Sequence, residues 1–132
     1  HKAGNYWTSM DAFPQAKATE FYLMGDKTIS MNAPTSDSSA STQYKHDPAN
    51  PIPTLGGNNL PASIGGDIPC GPLDQSPIDS RDDVLTFDLP VSTEELVLTG
   101  SMKATLYVSS DAIDTDFMVR ISDVYNNDEG TV

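Results

Sequence analysis

The chain has 132 residues, 19 acids against 7 bases, a formal net charge of −12 and a single cysteine. That length suits one domain or a large part of one. No apolar run reaches the roughly 18 residues of a membrane span, and one cysteine cannot close an internal disulfide. Cys70, His46 and His1 are too few for a structural zinc site, and a pI near 4.1 argues against nucleic acid, whose phosphates call for a basic face.

The opening His1-Lys2-Ala3-Gly4 has no apolar run behind it and does not read as a signal peptide. Trp7 and Phe13-Pro14 form a short aromatic segment. Residues 18–24 read as a strand that ends at Gly25-Asp26-Lys27, a turn signal; Thr28-Ile29-Ser30-Met31 alternates like its return strand. The pair is expected to form a hairpin. Residues 32–43, rich in Ser and Thr, read as a surface loop.

Residues 48–77 hold seven prolines and five glycines. That density is expected to exclude both helix and central strand. The segment nevertheless carries spaced apolar residues, Ile52, Leu55, Leu60, Ile64, Ile68 and Leu73, with Tyr44 just before it. A long ordered loop clamped onto a partner surface is the expectation.

From Asp83 onward the pattern turns to β. Residues 84–89, 96–100, 102–108 and 117–125 read as strands, with Phe117, Val119 and Ile121 on one face. Ser92-Thr93-Glu94-Glu95 could make one helical turn. Residues 126–130 form a turn signal, and Thr131-Val132 begins a return strand. Several short strands divided by turn signals predict an all-β sandwich or barrel.

Charge is unevenly spread: residues 1–66 hold five acids and four bases, residues 67–132 fourteen acids and three bases. Asp111, Asp114 and Asp116 are hard oxygen ligands at close spacing and admit a calcium hypothesis, although the spacing departs from an EF-hand loop. Solvated turn residues are the default, and no metal or cofactor is assigned. Catalytic chemistry is equally unsupported. No Gly-x-Ser-x-Gly elbow is present, a Ser-His-Asp triad would have to recruit His46 or His1, and Cys70 has no base beside it in sequence. Gly56-Gly57 and Gly65-Gly66 lack the lysine and strand-to-helix setting of a phosphate loop. Arg81 sits among Asp79, Asp82 and Asp83, and a structural ion pair with Asp83 that pins the loop end is expected.

Five segments in order resemble a known family. They are Trp7 with Phe13-Pro14; Tyr44-x-x-Asp47-Pro48-Ala49-Asn50-Pro51-Ile52-Pro53-Thr54-x-Gly56-Gly57; Asp74-Gln75-Ser76-Pro77-Ile78-Asp79-x-Arg81-Asp82-Asp83-Val84-Leu85; Ser109-Ser110-Asp111-Ala112-x-Asp114-Thr115-Asp116-Phe117; and Asp123-Val124-Tyr125 before a Gly-containing turn. Together they resemble the C-terminal domain of X-Pro dipeptidyl-peptidase-like hydrolases, the cocaine esterase group. The resemblance implies a jelly-roll β-sandwich of the galactose-binding-like kind over residues 1–132, with the family's final strands missing. It implies a non-catalytic accessory role beside an α/β-hydrolase domain that carries the Ser-Asp-His triad. The chain alone is then expected to be inactive, and its partner is that catalytic domain. Through it, the domain would meet a small acyl ester or a peptide. The residues after the paired glycines, Asn59, Leu60 and Pro61, are the implied pocket wall. The competing reading is a stand-alone module that binds carbohydrate, through aromatics such as Tyr6, Trp7 and Tyr107, or calcium. Localisation stays open between cytoplasm and a bacterial envelope or secreted setting.

Overall fold

The computed structural model describes residues 7, 9–13, 16–35, 41–60, 64–66, 69–92 and 96–124. The expected hairpin is present: β1 (Tyr22–Leu23) pairs antiparallel with β2 (Ile29–Ser30), Tyr22 opposite Ser30 and Leu23 opposite Ile29. Its turn is built by side-chain chemistry. The Asp26 carboxylate accepts the Thr28 hydroxyl at 2.7 Å and the Thr28 N–H at 3.1 Å, and these bonds hold its carboxyl below the usual range. Lys27 then takes φ 66°, and its N–H donates to the Met24 carbonyl at 3.0 Å. Asp88 runs alongside: its carbonyl accepts the Ile29 N–H at 2.8 Å and its N–H donates to Lys27 at 3.0 Å.

Among the described residues of the second half, the expected strands are reduced to isolated bridges at Asp88 and Val124. Residues 84–89 contribute only the Asp88 bridge, and no strand is present across 96–100, 102–108 or 117–123. Alternation specifies which face is apolar. A ladder additionally requires a neighbour whose N–H and C=O groups meet those of the strand. Val119 and Ile121 line an open groove with Met102, Lys103 and Ala104; Phe117, expected on the same face, is not among its lining residues. The hairpin expected at 125–132 lies outside the described residues, as do Pro14, Ile68 and the residues 93–95 of the helical turn expected at 92–95.

A correction applies to the Pro/Gly segment. A helical turn, α1 (Ser76–Asp79), closes it, with Pro77 in its first turn. Proline is admissible there because the N–H it lacks would have no intrahelical acceptor. Asp74 sets the entry: its carboxylate accepts the Ser76 hydroxyl at 2.6 Å and the Ser76 N–H at 2.9 Å. The architecture is thus strand and coil with little helix, in keeping with an all-β chain, and the described residues hold one two-stranded sheet. Among the described residues Ile78, 4% exposed, is the one buried apolar side chain. No described helix is long and apolar enough to cross a membrane.

Candidate functional site

Among the described residues, side-chain hydrogen bonds and ion pairs concentrate on α1 and its flanks. Gln75, just before α1, is 6% exposed. Its side-chain amide donates to the Leu55 carbonyl at 3.0 Å and to the Leu73 carbonyl at 2.9 Å. Leu55 and Leu73 are the two feet of a loop. Above them, Gly57 and Gly71 exchange both backbone hydrogen bonds, at 2.8 and 2.9 Å. Gly56 has φ +64°, and a Cβ there would run into the Gly71 carbonyl oxygen; only glycine permits this approach. The loop is therefore clasped twice at its base.

Arginines tie this base to distant chain. Arg81 makes a two-pronged pair with Asp83, Nε to Oδ1 and Nη2 to Oδ2, each at 2.7 Å, and Nη2 also donates to the Asn50 carbonyl at 2.9 Å. Arg120 donates to the Gln75 side-chain oxygen at 2.6 Å and pairs with Asp79 through its Nη2. Helical spacing brings Gln75 and Asp79 to one side of the turn, so one guanidinium fork reaches both. Ile78, in the same turn, is buried.

Asn59 and Leu60 follow the clasp. The Asn59 side-chain amide donates to the Gly56 carbonyl, whereas Leu60 is 64% exposed. Pro61 lies outside the described residues. Of the other spaced apolar residues, Ile52 and Ile64 are exposed while Leu55 and Leu73 are partly covered. Asp111, Asp114 and Asp116 are exposed. Among the described residues no group of three or more His, Cys, Asp or Glu side chains is gathered to hold a metal ion. Asp47, the neighbour that could have oriented His46, turns its carboxylate onto the Ala49 N–H at 2.9 Å. Cys70 is exposed.

A family model for the X-Pro dipeptidyl-peptidase C-terminal non-catalytic domain matches residues 1–132. The chain belongs to that family. Within it, the chain is 39% identical over 119 residues to the cocaine esterase of Rhodococcus sp. (strain MB1 Bresler), an alignment covering 85% of this chain and 20% of the esterase. This C-terminal domain thus spans about a fifth of the length of the curated relative it matches. No solved structure matches it significantly.

Sequence reasoning named Arg81 and Asp83 but missed Gln75 and Arg120 as a connected pair. The available signal for Arg120 was its rarity, since it is one of three bases in residues 67–132. Its partner, 45 positions away, carries no local mark.

The Arg81–Asp83 pair yields a pH prediction. Hydrogen bonding to the Arg81 guanidinium, with its charge, holds the Asp83 carboxyl below its ordinary value, and His46 adds a small pull the same way. A depressed folded-state pKa stabilises the fold above the unfolded value of about 3.9 and loses that contribution as pH falls through the folded value. Carbon-detected titration of Asp83 is expected to give a midpoint below about 3.9. A midpoint at or above it would contradict the pairing.

Proposed function

We propose that this chain is the accessory β-domain of a serine hydrolase acting on acyl esters or amides, and that its clasped loop walls the substrate pocket of a neighbouring α/β-hydrolase domain. The observation that carries this reading is the contrast at the loop. Its base is held by Gln75 and by the Gly57–Gly71 pair, while Leu60 just beyond is left exposed. A held base with an apolar residue beyond it is what a shaped acyl-binding surface calls for. Proline in such a loop lowers the entropy lost on ordering, because the unfolded chain was already restricted. Asn59, Leu60 and Pro61 form the wall in this reading, and the Arg81–Asp83 pair is structural, fixing the Asn50 side of the base.

The chemistry would belong to the neighbouring domain, which forms an acyl-serine intermediate and releases it to water. The match to a family described as non-catalytic supports that division. The ester-cleaving relative supports acyl esters as the first substrates to try.

Residues 1–132 on their own are therefore expected to release nitrophenol from a nitrophenyl acyl ester no faster than buffer. In the full-length gene product, Leu60→Ala is expected to raise KM for a bulky acyl ester by roughly 10-fold, the value of one lost apolar contact of about 1–3 kcal/mol. Serine-dependent turnover by the isolated residues, or an unchanged KM, would overturn the proposal.

A further inference from the structure

We infer that Arg120 is a remote positioning residue that sets the loop carrying Asn59 and Leu60, acting through the Gln75 side chain. The inference rests on the pocket-wall reading for its effect on substrate, but the mechanical part stands on geometry alone.

A glutamine amide can rotate so that its oxygen and nitrogen exchange places. At Gln75 the nitrogen must face the Leu55 and Leu73 carbonyls for the two loop feet to be held. With the oxygen turned that way, three acceptors would face one another. The Arg120 guanidinium removes this ambiguity. It has five donors and no acceptor, so its contact with the Gln75 oxygen obliges the nitrogen to point at the loop. Asp79 holds the guanidinium in place from the same helical turn. The order of action is Asp79, Arg120, Gln75, then Leu55 and Leu73. Because Gln75 is buried, water is poorly placed to substitute for a lost partner. Arg120 touches neither Asn59 nor Leu60 by any hydrogen bond described above, so its influence on them travels through the loop base.

The test is a double-mutant cycle on Arg120→Met and Gln75→Leu in the full-length gene product, read first by hydrogen exchange at the Gly57 and Gly71 amides. Each single change is expected to speed exchange there by about 10-fold, as expected for a buried hydrogen bond to a charged donor. The double change is expected to add little, because both act on one connection. Unchanged exchange in Arg120→Met, or effects that multiply in the double variant, overturns the inference. Arg120→Lys guards against a variant that fails to fold. Lysine keeps the charge and a donor but lacks the two-pronged fork, and partial recovery of protection is expected, whereas no recovery contradicts the role.

Ester kinetics then give a second readout. If the loop walls the pocket, Arg120→Met raises KM for the bulky ester and leaves kcat within about 2-fold, a uniform-binding loss. A kcat loss without a KM change contradicts positioning. Faster exchange at Gly57 and Gly71 with KM unmoved in both Arg120→Met and Leu60→Ala would sink the pocket-wall reading and leave the Arg120–Gln75 connection standing.

Discussion

Residues 1–132 produced by themselves are expected to lose structure gradually on heating, without a cooperative transition, and to bind an apolar dye at neutral pH. The reason is area. The chain exposes 12078 Å², whereas a compact monomer of 14.2 kDa exposes about 6,800 Å². Trp7, at 99% exposure, heads a long series of uncovered large apolar side chains that includes Tyr107, Ile113 and Met118. Cooperative melting needs a shared core whose parts fail together, and among the described residues Ile78 is the one buried apolar side chain. Self-repulsion at a net charge of −12 works against collapse. In the full-length gene product the same residues are expected to melt cooperatively and the dye signal to fall, as apolar side chains such as Met102, Val119 and Ile121 are covered. A single sharp melt with monomeric mass for residues 1–132 would defeat this expectation.

The second large effect is expected at Gly56. Substitution by valine meets two obstacles at once. An L-residue at φ +64° costs about 1–2 kcal/mol. The new Cβ also collides with the Gly71 carbonyl and comes within 3.2 Å of the Leu73 side chain, so the Gly57–Gly71 pair must open. Losing its two hydrogen bonds adds about 0.5–1.5 kcal/mol each. A destabilisation of roughly 2–5 kcal/mol follows from these terms together, measured as a drop in urea midpoint of the full-length gene product. Gly65 is the control. It too has positive φ, at +93°, but a Cβ there meets nothing within 4 Å, so Gly65→Ala is expected to cost about 1 kcal/mol. Equal effects at the two glycines would show that the close approach at Gly56 carries no energy.

The parts of this architecture that the sequence disclosed are those with local causes. The hairpin turn was legible because Gly25 and Asp26 supply turn chemistry within a few residues of the strands. The loop from 48 to 77 was legible from its prolines and glycines, and the family from motifs in order. The helical turn Ser76–Asp79 was misread because proline density was counted without regard to position, and a first-turn proline is no obstacle. The second-half strands are present among the described residues only as bridges at Asp88 and Val124. Alternation in 102–108 and 117–123 identifies an apolar face but supplies no hydrogen-bonded neighbour. The Gln75–Arg120 contact was invisible because its two members share no spacing, charge pattern or motif; only the chain's three-dimensional path brings a neutral amide to one of few cations.

The double clasp at Gly57–Gly71 and Gln75 also bears on how this region can change over evolutionary time. The residues between the two glycines are bounded by hydrogen bonds that use backbone atoms and one amide outside the loop. Neither of these two clasps uses a side chain from between the glycines, although Asn59 adds a bond of its own to the Gly56 carbonyl. Doubling the length of such a segment adds only about 0.6 kcal/mol of closure entropy. The sequence beyond Asn59 can therefore be exchanged or lengthened like an interchangeable cassette, altering what it presents while the socket that receives it stays the same.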